Sequence, residues 1–300
     1  LFTISVGTSL NDQTHFKKFL YNKGSGTDFL GFDNGFRSLK GGINAVLSPM
    51  NNGYDLLNNG LNNDWTVKDC RPLADLSLNM NFSRRWVDSS GRTLAILGTV
   101  NYSNSYRTYL DMDNNLFGAY DMTHDCSNYL RKSIDDQYNH SVRIGTMLNF
   151  TYIPASGNSR YEFKNIFNQL GKDRYTYRKG TDAQSDYEES AEYYYQSRTT
   201  YNGQFTGKHT LGNTDKLDWS AGYSYANRNM PDRRRYTTVL NEETNQLEVE
   251  NLNEINREFS RLDEHILSAN INYQHDFSFG IFTPSLKVGA YTEHRAREYN

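Results

Sequence analysis

The sequence predicts an all-β fold, a segment of about nine long antiparallel strands cut from a larger transmembrane β-barrel. Three observations predict it. Apolar and polar residues alternate with period two through most of the 300 residues, which sorts the two faces of a strand and no face of a helix. Compact turn sequences take turns with long polar stretches between the alternating segments. The composition is polar, yet it holds 23 Tyr, 16 Phe and 3 Trp, and disordered chains are poor in aromatics. A membrane barrel accounts for that mixture, because half of each strand faces lipid and half faces water.

The first segment, 1–10, alternates from Phe2-Thr3-Ile4 onward. The clearest segment is 73–86, where Leu76, Leu78, Met80 and Phe82 are interleaved with Ser77, Asn79, Asn81 and Ser83. The turn Val87-Asp88-Ser89-Ser90-Gly91 leads into 92–107, with Leu94, Ile96, Val100 and Tyr102 on one face. In 139–153 the apolar set is Val142, Ile144, Leu148, Phe150 and Tyr152; after Pro154–Asn158 the segment 159–175 carries Tyr161, Phe163 and Phe167. The pair 193–211 and 216–229 flanks Gly212-Asn213-Thr214-Asp215, with Leu217, Trp219, Ala221, Tyr223 and Tyr225 on one face of the second. The last two, 262–276 and 281–297, present Leu267, Ala269, Ile271 and Tyr273, then Leu286, Val288 and Ala290.

Short turns thus follow the second, fourth, sixth and eighth strands. Long polar loops are expected at 11–72, 108–138, 176–192 and 230–261. Outer-membrane barrels have this layout, with short periplasmic turns and long extracellular loops. Each segment exceeds the ~9–11 residues a tilted strand needs to cross a bilayer. Tyr102, Tyr106, Tyr109, Tyr152, Tyr161, Tyr175, Tyr225 and Tyr273 are expected near strand ends, where aromatic girdles sit. Bacterial single-chain barrels close with an even number of strands. Nine strands and the abrupt ends at Leu1 and Asn300 therefore suggest an arc of an unfinished wall, so 1–300 is read as one partial barrel domain.

No run approaches the ~18–20 apolar residues of a membrane helix. The formal charge is only −3, from 32 basic and 35 acidic residues, without the basic excess that binding nucleic acid requires. Phosphate-loop, dinucleotide, zinc-protease and nucleophile-elbow motifs are missing, so neither an enzyme nor a bound cofactor or metal is expected. Cys70 and Cys126 fall in the first two outer loops and are read either as free structural thiols or as one disulfide.

Several strings resemble the TonB-dependent outer-membrane receptors of Gram-negative bacteria. Asp28-Phe29-Leu30-Gly31-Phe32-Asp33-Asn34-Gly35-Phe36-Arg37-Ser38-Leu39 is similar to a family loop written Gly, acidic pair, Gly, Arg-Ala-Leu-Pro, with Ser38 in place of Ala and Lys40 in place of Pro. Asn62-Asn63-Asp64-Trp65 with Pro72 resembles the entry to the second strand. His209-Thr210-Leu211, Lys216–Ser224 and Asn229-Met230-Pro231-Asp232-Arg233-Arg234 resemble a barrel hairpin, and Leu286–Arg297 a later strand. The resemblance implies a barrel of about 22 strands around a plug, in the outer membrane, driving uptake of a glycan, peptide, siderophore or similar nutrient. It implies contact with outer-membrane lipids and lipopolysaccharide, with TonB through a segment outside this chain, and with a surface lipoprotein or other outer-membrane subunits. The alternative function is a barrel serving as scaffold or subunit of a surface complex. Tyr54, Trp65, Phe117, Tyr120, Tyr194 and Tyr195 are the loop aromatics expected to stack on a ligand, and Arg143 and Lys287 are expected to line the lumen.

Overall fold

In the computed structural model, which describes residues 1–39, 61–184, 186–249 and 255–300, the chain is almost entirely antiparallel β-sheet. Nine strands follow one another in a single path: β1 (Phe2–Ser9), β4 (Asp75–Val87), β5 (Thr93–Asp113), β7 (Cys126–Ile153), β8 (Ser159–Asp182), β9 (Tyr187–Leu211), β10 (Asp215–Asn241), β12 (Asn256–Asp276) and β13 (Ser285–Tyr299). Two short strands, β6 (Leu116–Asp121) and β11 (Gln246–Glu248), pair beside β7 and β10 and bring the sheet to 11 strands. The sheet is open, with β1 and β13 at its ends. A separate two-stranded sheet joins β2 (Phe19–Asn22) to β3 (Val67–Cys70).

The nine strands coincide with the nine alternating segments of the sequence, and the register carries every apolar set onto one face. Leu78 opposes Tyr102, which opposes Ile144; Phe150 opposes Phe163, Phe163 opposes Phe205, and Phe205 opposes Ala221. From Ala221 the row continues to Ala269, and one row along Ile271 meets Ala290. Because side-chain period is two, the opposite face collects Ser77, Asn101, Arg143, Asn168 and Thr200. At the turn end of the sheet, Gly91, Gly157, Gly212 and Gly280 all take positive φ, between 64° and 83°. A side chain is strained there, so glycine lets the hairpins close tightly.

The apolar band occupies only the turn-side part of its face. On β5 and β7 it runs from the Leu94–Tyr152 row to the Tyr102–Ile144 row. Its members are left uncovered: Ile4, Leu94, Leu148, Phe163, Phe205 and Ile271 are all exposed. The strands continue far beyond it, since β7 alone has 28 residues, about 90 Å of extended chain.

That continuation corrects the expected loops. The ladders of β5 with β7, β8 with β9 and β10 with β12 run through much of 108–138, 176–192 and 230–261. Beyond the band neither face is sorted into apolar and polar sets, so alternation gives no strand signal there. The described residues of 11–39 and 61–72 lie outside the main sheet. Tyr106 and Tyr175, expected near strand ends, lie well inside β5 and β8 for the same reason. Tyr152 and Tyr161 do sit at the turn end, stacked with centroids 6.3 Å apart.

The described parts of the 11–72 segment fold back onto the banded face, above the band. Phe19 is 2% exposed and meets Tyr106 and Tyr138 edge-on at 5.2 and 5.5 Å. Tyr138, Tyr175, Ala191 and Tyr193 complete this small core. Edge-to-face aromatic pairs add about 0.5–1.5 kcal/mol each to their burial. Gly31 presses on Gly171 so closely that a Cβ on Gly171 would fall 2.5 Å from the Gly31 Cα. Gln169 donates its amide to the Gly31 carbonyl, and Tyr102 donates its hydroxyl to the Phe29 carbonyl at 3.0 Å.

Candidate functional site

The polar face of the sheet is open and grooved. A groove of about 830 Å³ lies toward the turns, between Arg85, Asn149, Glu162 and Lys164. A second, of about 500 Å³, lies midway and is lined by Asn79, Asn101, Arg143, Asn168, Arg198 and Thr200. A third, of about 330 Å³, lies toward the long-strand ends, among Arg178, Glu192, Arg233 and Arg235. The lining mixes hydroxyl, amide and guanidinium groups with the carboxylates of Glu162 and Glu192 and the ammonium of Lys164, the chemistry that exchanges hydrogen bonds with a hydrated solute.

Two of the expected aromatics are neighbours in sequence, and the pleat sends them to opposite faces. Tyr194 lies on the polar face, with the Arg174 guanidinium 4.7 Å and the Arg233 guanidinium 5.8 Å from its ring centroid. Both arginines also donate to Glu192: Arg174 Nη2 at 2.7 Å and Arg233 Nε at 2.7 Å. Arg233 reaches Glu258 at 3.2 Å as well. The result is a ring held rigid between cations, a platform for stacking a planar or pyranose ring beside charged donors. Glu192 was expected in a solvated acidic loop; it is instead a strand residue that fixes this cluster.

Tyr195, by contrast, is buried at 3% exposure beneath Arg37, whose guanidinium lies 4.0 Å from the ring centroid. Arg37 donates to Asp28 at 2.7 and 2.9 Å and to Asp33 at 2.9 Å, and faces Asp173 at 3.6 Å. Burial by itself would pull the Arg37 guanidinium down; its bond to Asp28 and the charges of Asp173, Asp28 and Asp33 reverse this and hold it above its ordinary value. Trp65 likewise belongs to the docking of the folded-back segment. It meets Tyr193 and Tyr236 edge-on at 5.8 and 5.9 Å, with the Arg234 and Arg257 guanidiniums 5.0 and 5.6 Å from its ring. Arg234 donates to the Asp64 carbonyl and the Asn22 side chain, both at 2.7 Å, while Arg257 donates to the Asn62 carbonyl at 2.6 Å. Trp65 and Tyr195 are therefore packing residues, consumed by the chain itself.

Phe117 and Tyr120 project from the tip of the β6–β7 hairpin, each 55% exposed, with Phe117 against Tyr129 at 4.9 Å. Tyr54 lies outside the described residues. Arg143 does face the polar side, in the middle groove, and Lys287 shares that face, opposite Gln274 on the edge strand β13. Cys70 and Cys126 are both free thiols, Cys70 at the foot of the docked segment and Cys126 at the hairpin tip. Burial pushes the Cys70 thiol up from its ordinary value.

Sequence reasoning passed over Arg37, Arg174, Arg198, Arg228 and Arg233. The alternation of 216–229 puts Arg228 in line with Ser220 and Ser224, but that Arg198 stands beside it is a matter of register. Arg37 stands in one of the quoted strings, with no local hint that it would be buried. Compared with family models, curated proteins and solved structures, the chain matches none.

Proposed function

We propose that this chain is part of the wall of an outer-membrane barrel of the TonB-dependent receptor type, serving active uptake of a nutrient. The observation that carries the reading is the apolar band. It crosses nine strands on one face, is left largely uncovered by the described residues, and on β5 and β7 is roughly nine residues tall, close to the ~9–11 residues of a tilted membrane strand. Exposed apolar area on that scale marks an interaction surface, and lipid fits a band of about that height. The grooved polar face then lines the transport path, and lipopolysaccharide and lipids meet the band. TonB engages a segment outside this chain.

The full-length protein, expressed in its host, tests this. It is expected in the outer-membrane fraction and in the detergent phase after phase separation. Deleting its gene and disrupting TonB are each expected to abolish growth on the same sole carbon, nitrogen or iron source. Recovery in the aqueous phase overturns the barrel. Growth that depends on the gene and survives loss of TonB overturns active transport. A second reading, a barrel subunit of a surface complex with a lipoprotein, draws on the exposed Phe117 and Tyr120 at the hairpin tip; co-purification of one stoichiometric partner after mild solubilisation would favour it.

A further inference from the structure

The middle groove of the polar face and the positions beside it hold a charge arrangement that no described residue balances. Arg143 on β7 opposes Leu170 on β8, Leu170 opposes Arg198 on β9, and Arg198 opposes Arg228 on β10. These four residues form one transverse row on the polar face. Lys172 stands in the neighbouring row, between Ser141 and Gln196. Directly opposed Cα atoms are about 5 Å apart, and positions two strands apart about 10 Å. Arg198 and Arg228 are therefore like charges placed face to face, an arrangement that costs stability. Arg143, Arg198 and Arg228 are all exposed. None of the three side chains, nor that of Lys172, has a hydrogen bond or ion pair with a described residue.

The acceptors around the groove are neutral hydroxyls and amides. The residues lining the groove are Ser, Asn, Thr, Gln, Gly and Arg with a few apolar ones, and no carboxylate is among them. Glu264, two positions along β12 from the partner of Arg228, is already held by Arg297 at 2.6 Å and Arg295 at 3.3 Å. Elsewhere on this face Arg107 pairs with Asp75, Arg174 with Glu192, Arg178 with Asp135 and Lys164 with Glu162, while Arg85, Lys208 and Lys287 have no ion pair with a described residue. The row is set apart by the direct opposition of Arg198 and Arg228, and guanidinium forks suit planar or tetrahedral oxyanions.

We infer that the row Arg143, Arg198 and Arg228, with Lys172, is a binding site for an oxyanion-bearing solute whose carboxylate, sulfate or phosphate groups bridge neighbouring guanidiniums. This deepens the transport reading, on which it rests for the identity of the polar face as the transport path: the nutrient is an anion. A spacing of about 5 and 10 Å between positions matches a ligand with more than one anionic group.

The test uses the full-length protein in detergent micelles and isothermal titration with four probes: a heparin-derived sulfated tetrasaccharide, a galacturonate tetrasaccharide, inorganic pyrophosphate, and neutral maltotetraose. At least one anionic probe is expected to bind, more weakly in 300 than in 50 mM NaCl, and maltotetraose is expected not to bind. R198Q and R228Q are each expected to weaken that probe about tenfold, the loss of one charge-assisted hydrogen bond, and the pair together further. R84Q, whose side chain lies by Trp86 outside the groove, is expected to change nothing. Without ligand, R198Q is expected to raise Tm by relieving the opposed charges, a readout independent of binding. Failure of all three anions to bind, or a double variant that binds them as the parent does, overturns the proposal. Partition into the detergent phase is read separately. An anion bound by a protein from the aqueous phase would remove the membrane reading and leave the site.

Discussion

The two halves of one sheet face lead different lives. On the turn side the face is apolar and bare, with Leu94, Leu148, Phe163 and Ile271 exposed. On the long-strand side the same strands carry Tyr106, Tyr138, Tyr175 and Tyr193, and the chain covers them with its own folded-back segment. Strand identity is constant across the boundary; only depth along the strand changes. The lower half is mostly aliphatic side chains and Phe, which need no hydrogen-bond partner, with a few Tyr and Trp rings whose polar tips bond within the sheet, as Trp219 Nε1 donates to His209 at 3.0 Å. The upper half uses rings with polar tips, and their partners arrive from the segment: the Tyr193 hydroxyl donates to the Trp65 carbonyl at 2.7 Å. A largely uncovered face whose few polar tips bond within the sheet fits lipid, whereas a face of Tyr, Arg and Asp has to be satisfied by protein or water.

The comparison breaks most severely at Arg37. R37A leaves Asp28, Asp33 and Asp173 facing one another without their cation, a loss of about 3–5 kcal/mol for a buried network. Limited proteolysis is expected to cut within 11–39 in the variant and not in the parent, while the apolar band stays assembled. Next comes the band itself. L148R, at the middle row of the band, is expected to cost about 2–4 kcal/mol at mid-membrane depth and to deplete the protein from the outer membrane. L116R, at an exposed leucine on β6 outside the band, is expected to be silent. Equal effects would erase the distinction between the halves.

A smaller effect is expected at the seam between segment and sheet. G171A drives a methyl into the Gly31 backbone and should cost about 1–3 kcal/mol as overpacking, read as faster hydrogen exchange at Leu30 and Gly31. The gentlest probe is thiol labelling. Cys126 is exposed and expected to react quickly with a maleimide, while Cys70, its thiol pushed up by burial, reacts slowly until R37A loosens the segment. Two labelled thiols per chain under denaturing, non-reducing conditions is the expected total; none would mean a disulfide.

Much of the sheet was legible in advance because its signal is local. Leu76-Ser77-Leu78-Asn79-Met80 declares a two-faced strand without reference to any other residue. Legibility stopped where the faces ceased to be sorted. Residues 176–182 and 187–192 are strand, held by the β8–β9 ladder, yet Tyr177, Arg178, Tyr187 and Glu189 read as a polar loop. Among the candidate ligand aromatics, Tyr194 and Tyr195 could not be told apart by type. The pleat decided that Tyr194 faces the grooves and Tyr195 the packed segment.

By itself, then, the sequence determined nine strands, their two faces, the four tight glycine turns and the place of the apolar band, because each follows from spacing of two within one segment. Tertiary structure alone decided how far the strands run, that residues 11–39 fold back on the banded face rather than project from it, and that Arg143, Arg198 and Arg228 share one row. Those depend on pairing register and on contacts between residues as far apart as Asn22 and Arg234. Such contacts leave no periodic trace, since a strand partner is chosen by the whole sheet and an ion pair by whichever charges the fold brings together.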